Sequence, residues 1–225
     1  MARFVISDIH GAYKALIQCF ERSGFDKNQD LLICLGDVCD GYPEVNKCFD
    51  ELLSVKNLVY LIGNHDEWCL KWAINGDAPE GWLLQGGYST IKCYNESFDK
   101  DHLALLKNSK YYHIIDNIAF VHGGFNIGQP LEKQSNETLV WDRSLVYEAY
   151  ENNENIKSLS GFDRVFVGHT PTIKFNSLAP VQFCEVIMTD TGAGWGQRLS
   201  IINIDSGKFF QSDPTMELYP IKPGR

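Results

Sequence analysis

Five short segments hold the residues most able to do chemistry: Asp8-Ile9-His10-Gly11, Gly36-Asp37-Val38-Cys39-Asp40-Gly41, Gly63-Asn64-His65-Asp66, His122-Gly123-Gly124 and Gly168-His169-Thr170. Each sets Asp, Asn or His beside glycine, which suits tight turns and close backbone approach. Carboxylate, amide oxygen and imidazole, with no thiolate, suit intermediate divalent ions such as Mn, Fe or Zn. That many donors suffice for two ions sharing one carboxylate, an arrangement that clamps the attacking and leaving oxygens of an in-line displacement at phosphorus. Each segment alone also has a plainer reading. Asp next to Gly is ordinary turn chemistry, and a lone His beside Gly is more often a structural hydrogen-bonding group. The weight lies in all five occurring in order.

The elements that must position these residues are strands. Residues 4–7, 31–35 and 58–62 are short apolar runs rich in β-branched residues, as expected of strands buried on both faces. Between them, 12–23 carries a helical apolar stripe ending at Gly24, and 43–53 repeats it with Pro43 near its first turn. This β-α-β-α-β opening predicts parallel strands with right-handed crossovers. The middle, roughly 67–109, reads as helical. Residues 111–115 and 118–122 flank a turn at Asp116-Asn117, 144–152 reads as a helix, and 164–167 and 185–190 as strands. A last hairpin, 198–204 and 208–211, turns at Asp205-Ser206-Gly207. Parallel units early and hairpins late predict an α/β fold of two mixed sheets sandwiched between helical layers, four layers in all. The five segments follow strands, and in open α/β sheets ligand sites lie outside the carboxyl ends of strands.

The chain of 225 residues has ample length for a real core, and one domain over 1–225 is expected, with a loose tail from about 214. Twenty Lys+Arg against 29 Asp+Glu leave a net charge of −9, which argues against a binder of duplex nucleic acid. No apolar stretch approaches the roughly 18 residues needed to cross a bilayer, so no membrane partner is expected. Seven scattered cysteines, odd in number and without CxxC spacing, read as free thiols in a reducing cytosol. The start lacks a signal-peptide pattern, and a cytoplasmic location is the expectation.

The five motifs, D-x-H, G-D-x-x-D, G-N-H-[DE], H-G-G and G-H, in this order resemble the metallophosphoesterase (calcineurin-like) superfamily, specifically its phosphoprotein-phosphatase branch. Gln85-Gly86-Gly87 followed by Thr90, Trp141-x-Arg143 and Asp190-Thr191-Gly192 look like bacterial and phage members. The resemblance implies two divalent ions, Mn first, with Fe or Zn as alternatives. Asp8 and His10 would hold the first ion, Asp37 would bridge, and Asn64, His122 and His169 would complete the second. His65 would be the general acid, held by Asp40, and Arg143 would hold the phosphate. The implied substrate is a phosphorylated protein or a small phosphoester, with serine/threonine phosphatase activity leading. Hydrolysis of dinucleoside polyphosphates, or of phosphodiesters, is the alternative. A metal-bound but catalytically silent scaffold is disfavoured because the bridging and acid positions are filled. The family commonly has Arg directly after the second Asp of G-D-x-x-D and before G-N-H, where this chain has Gly41 and Ile62.

Other polar residues read as structural. His102 and His113 match no motif, Asp66 is expected to support its loop, and Asp190 to stand behind the ligands or in the framework. Trp68 and Trp72, one helical turn apart, read as core, and Cys34 and Cys39 as filler.

Overall fold

A computed structural model describes residues 1–95 and 97–220. The elements run β1 (Arg3–Ile6), α1 (Tyr13–Ser23), β2 (Leu31–Cys34), α2 (Val45–Leu53), β3 (Asn57–Tyr60), α3 (Asn64–Asn75), α4 (Glu80–Trp82), α5 (Tyr88–Tyr94) and α6 (Lys100–Lys107). There follow β4 (Tyr112–Ile115), β5 (Ile118–Val121), α7 (Asn136–Trp141), α8 (Ser144–Asn152), β6 (Arg164–Val167), β7 (Val181–Phe183), β8 (Val186–Met188), β9 (Ser200–Asn203), β10 (Phe209–Gln211) and α9 (Thr215–Leu218).

The strands form two five-stranded sheets, ordered β10-β9-β1-β2-β3 and β4-β5-β6-β8-β7. Both are mixed. β1, β2 and β3 are parallel, as are β5, β6 and β8, while β9, β10, β4 and β7 join antiparallel. The period-2 alternation of side chains builds the layers. Val5 and Ile33 of the first sheet meet Ile118, Phe120 and Phe166 of the second in a core between the sheets. Their strand neighbours Phe4, Ile6, Leu32 and Cys34 face outward, against Leu16, Cys19, Cys48 and Phe49 of α1 and α2. Ala119, Val121, Val165 and Val167 likewise face Leu139 of α7 and Leu145 of α8. The result is the expected helix–sheet–sheet–helix sandwich.

Departures are local. The middle is helical but broken: α3 ends at Gly76 in a left-handed cap (φ 79°), and the chain kinks at Gln85-Gly86 before α5. β7 was not expected, because its three residues turn into β8 through left-handed Cys184, without Gly or Asn to mark the hairpin. α7 also escaped, although Ser135 caps it by accepting a hydrogen bond from the Thr138 N–H at 3.0 Å. The expected loose tail is corrected over its first half. Thr215 is buried and donates to the Ala193 carbonyl at 2.7 Å, and Tyr219 packs on Tyr42 and donates to Glu44 at 2.6 Å. Residues 221–225 of that expectation lie outside the described residues. All seven cysteines are free, and Cys34 and Cys39 are fully buried.

Candidate metal and hydrolytic site

The ends of β1, β2 and β3 and of β5 and β6 bring all five segments together. Asp8, His10 and Asp37 form one cluster able to hold an ion, and Asp37, His122 and His169 form a second, so Asp37 is common to both. Asp37 Oδ2 lies 3.8 Å from His10 Nε2 and 3.4 Å from His122 Nε2. Asn64 Oδ1 is 3.0 Å from the same His122 nitrogen. All these residues are buried.

Backbone carbonyls fix how two imidazoles present themselves. His10 Nδ1 lies 2.9 Å from the Cys39 carbonyl and His122 Nδ1 2.9 Å from the Leu35 carbonyl. A carbonyl only accepts, so each Nδ1 carries the proton and Nε2 is turned toward the cluster. His169 Nε2 is buried with no hydrogen-bond partner, an unsatisfied donor–acceptor site of the kind an ion fills. Together with the thiolate-free donors around Asp37, this fits two divalent ions.

The electrostatics fit as well. Burial, with the Asp190 carboxylate close by, pushes Asp8 well above the usual carboxylate range. Burial acts on Asp37 in the same direction, yet His122, His65 and His10 hold it well below. His122 is raised to about 9 by Asp37 against its own burial. His169 is lowered to about 2 by burial, with His122 and Arg143 adding to the effect. Buried carboxylates crowded this closely are the arrangement that bound cations relieve.

Asp66 is the hub of the first-sheet loops. Its carboxylate accepts the N–H groups of Asp37 (2.8 Å), Val38 (3.0 Å), Cys39 (3.1 Å) and Gly63 (3.1 Å), and the Tyr60 hydroxyl (2.9 Å). This matches the supporting role expected of it. Gly63 must be glycine, since a Cβ there would run into the Asp37 carboxylate. Asp8, His10, Asp37, Asp40 and His169 all have left-handed backbone (φ 50–73°), an uncommon conformation that the surrounding hydrogen bonds must enforce.

His65, the first residue after Asn64, places Nδ1 2.6 Å from Asp40 Oδ2. Sequence reasoning did not foresee what holds Asp40. The Trp82 indole donates to Oδ2 at 2.7 Å and the Thr90 hydroxyl to Oδ1 at 2.6 Å, so the broken helical middle serves to fix Asp40. Thr90 belongs to a stretch marked as family-like; Trp82 carried no signal.

Arg143 donates to the His169 carbonyl at 3.4 Å, and its Nε is buried without a partner. Asp190 is buried near Asp8 and accepts the Gly192 N–H at 2.9 Å. His102 bridges Tyr94 (2.8 Å) and Asp50 (3.0 Å) outside the site, and His113 packs near Phe120. Trp68 and Trp72 both pack on the first core, but Trp68 also touches His65. At the two positions without arginine, Ile62 is buried, and Gly41 has φ +81°, where a Cβ would lie 3.1 Å from the His10 carbonyl.

A family model described as calcineurin-like phosphoesterase matches residues 1–173. Serine/threonine-protein phosphatase 1 of Salmonella typhimurium is 26% identical over 209 residues, covering 89% of this chain and 91% of that protein. The symmetrical bis(5'-nucleosyl)-tetraphosphatase of Pseudomonas entomophila is 24% identical, covering 98% of this chain and 96% of that protein. A solved metallophosphoesterase from Sphaerobacter thermophilus shares the fold, with a TM-score of 0.60 at 18% identity, covering 98% of this chain and 95% of that one.

Proposed function

The chain belongs to the calcineurin-like phosphoesterase family and is a hydrolase of phosphoric esters, and from that premise we propose a two-ion phosphomonoesterase acting on phosphoserine and phosphothreonine in proteins. The observation carrying this reading is the pair of buried ligand clusters that share Asp37, next to a histidine held by Asp40. Asp8, His10 and Asp37 would hold one ion, and Asp37, Asn64, His122 and His169 the other, with Mn as the leading metal. Two such ions, when bound, polarise a phosphoryl oxygen and acidify water near neutral pH.

The chain's own residues do the rest. With Nδ1 engaged by Asp40, His65 offers Nε2 as the nitrogen that passes a proton to the departing alkoxide. Trp82 and Thr90 keep the Asp40 carboxylate aimed at His65. Arg143 would hold phosphate oxygens, a reading supported by its buried Nε without a partner beside His169. With Gly41 and buried Ile62 adding no cation, the phosphate hold falls to Arg143 and the ions, which supports a high KM and tolerance of diesters.

The second reading, hydrolysis of dinucleoside polyphosphates, draws on the Pseudomonas entomophila relative, which aligns with nearly the whole chain. A phosphoserine peptide and bis(5'-adenosyl) tetraphosphate assayed side by side with Mn separate the two. Higher kcat/KM on the peptide is expected, and the reverse order would replace the first reading by the second.

A further inference from the structure

We propose that the C-terminal segment from Pro214 to Tyr219 is a strap that positions one of the two ion sites, that of Asp8, His10 and Asp37, and that Thr215 is the positioning residue through which it acts. The inference rests on the two-ion reading and adds to it what sets the affinity of one ion apart from the other.

The strap lies beyond all five motif segments, yet polar contacts tie it down. Thr215 is fully buried, and its hydroxyl works in both directions. It accepts the Tyr42 hydroxyl at 2.9 Å and donates toward the carbonyls of Ala193 at 2.7 Å and Gln197 at 2.9 Å. The Thr215 N–H also donates to the Gln197 carbonyl, at 2.8 Å. One turn later, Tyr219 lies against Tyr42 with the rings 4.6 Å apart. Its hydroxyl donates to Glu44 at 2.6 Å and accepts the Lys14 N–H at 2.9 Å. The strap thus fastens three loops, 10–14, 41–44 and 192–197.

All three loops border the same ligands. The Tyr42 N–H donates to the His10 carbonyl at 2.8 Å, a bond that helps hold the left-handed backbone of His10 (φ 50°). A Cβ on Gly11 would collide with the Tyr42 carbonyl, so these two backbones are in direct contact. The 41–44 loop continues directly from Asp37 and Asp40. In the third loop, the Gly192 N–H donates to Asp190 at 2.9 Å, and Asp190 lies near Asp8. Among the described residues, the hydrogen bonds of Thr215 and Tyr219 reach these loops and none of the segments that carry Asn64, His122 and His169. The strap is therefore one-sided, and its hold falls on Asp8 and His10, the two ligands that belong to this ion alone. Side chains already held in place lose less freedom when an ion binds, so a brace behind them is read out as affinity.

The test measures Mn binding to the full chain by calorimetry. Wild type, Thr215→Val and Thr215→Ser are compared, each also in a His169→Ala background, where the ion of Asp8, His10 and Asp37 is the one left with its full ligand set. Thr215→Val keeps the side chain's shape and removes the hydroxyl, so the Tyr42 hydroxyl and the Ala193 carbonyl lose that partner. It should weaken one of the two ions about tenfold, the low end for groups that orient ligands from behind, and leave the other within about twofold. Thr215→Ser should restore the affinity, and in the His169→Ala background the same loss should appear on the remaining ion. Tyr42→Phe deletes only the hydroxyl at the other end of the bond and should weaken the same ion. Thermal unfolding of the metal-free variants checks that they fold, and where Thr215→Val does not, Tyr42→Phe decides. Equal weakening of both ions, a loss that vanishes in the His169→Ala background, or unchanged Mn binding would overturn the strap. One ion or none on wild type would instead contradict the two-ion reading.

Discussion

The first sheet's loops carry Asp8, His10, Asp37, Asp40, Asn64 and His65; the second half supplies His122, Arg143 and His169, and the two sets are held differently. The first set is braced from within the protein: Asp66 gathers four backbone N–H groups and the Tyr60 hydroxyl, and Asp40 is gripped by His65, Trp82 and Thr90. The second holds His169 Nε2, Arg143 Nε and Thr170 Oγ1, the three buried side-chain polar atoms without partners among the described residues. Buried polar groups left unsatisfied cost free energy unless something meets them. The contrast teaches that Asp37, Asp40 and His65 are held by protein contacts alone, while under the proposed reading the second half would complete its contacts with ion and phosphate.

The largest effect should come from removing what the halves share. Asp37→Asn should lower kcat by more than His65→Asn, whose own loss should be about 10²–10⁴. For His65→Asn the loss should be large with a serine alkoxide leaving group and smaller with p-nitrophenolate, which leaves unaided. Steady-state rates on both esters check this; equal losses would mean that His65 does not protonate the leaving group.

A stability comparison tests the bracing. Asp66→Ala leaves several buried N–H groups orphaned and should cost about 3 kcal/mol in denaturant unfolding. His169→Ala removes an orphan and, without added metal, should change stability by less than about 1 kcal/mol. Mn should then raise the melting temperature of wild type more than that of His169→Ala. Similar costs for the two substitutions in metal-free protein would erase the contrast.

The smallest effect concerns a brace remote from the site. Glu185 accepts the N–H groups of Leu159 and Ser160 and the Ser160 hydroxyl. Although burial acts the other way, these donors hold its carboxyl below the usual range. A depressed carboxyl gives stability that is present above its unfolded pKa and lost as pH falls through its lower folded value. Glu185→Gln should therefore cost about 1 kcal/mol at pH 7 and progressively less below about pH 4, with kcat/KM unchanged. A pH series of unfolding curves shows whether the difference between wild type and variant closes in acid.

The site was legible because its donors sit in short Gly-flanked segments directly after apolar runs, so order and chemistry survive in the sequence. The sandwich was legible for a related reason, since alternate residues of β1, β2, β5 and β6 feed two different cores. What stayed hidden depends on tertiary contact. Asp8, His10, Asp37, Asp40 and His169 are left-handed, a conformation Asp and His visit more readily than most residues, but no local rule says at which positions. Trp82 reaches Asp40 across 42 positions of sequence. Trp68 follows the apolar stripe of a core residue, and its contact with Trp141 comes from a separate helix.

The most direct test of the shared-carboxylate account is the number of Mn ions bound per chain at saturation, measured by equilibrium dialysis on wild type and Asp37→Asn. Two ions on wild type, and fewer than two on the variant at the same free Mn, are the predicted result. One ion on wild type, or two undiminished ions on Asp37→Asn, would contradict it.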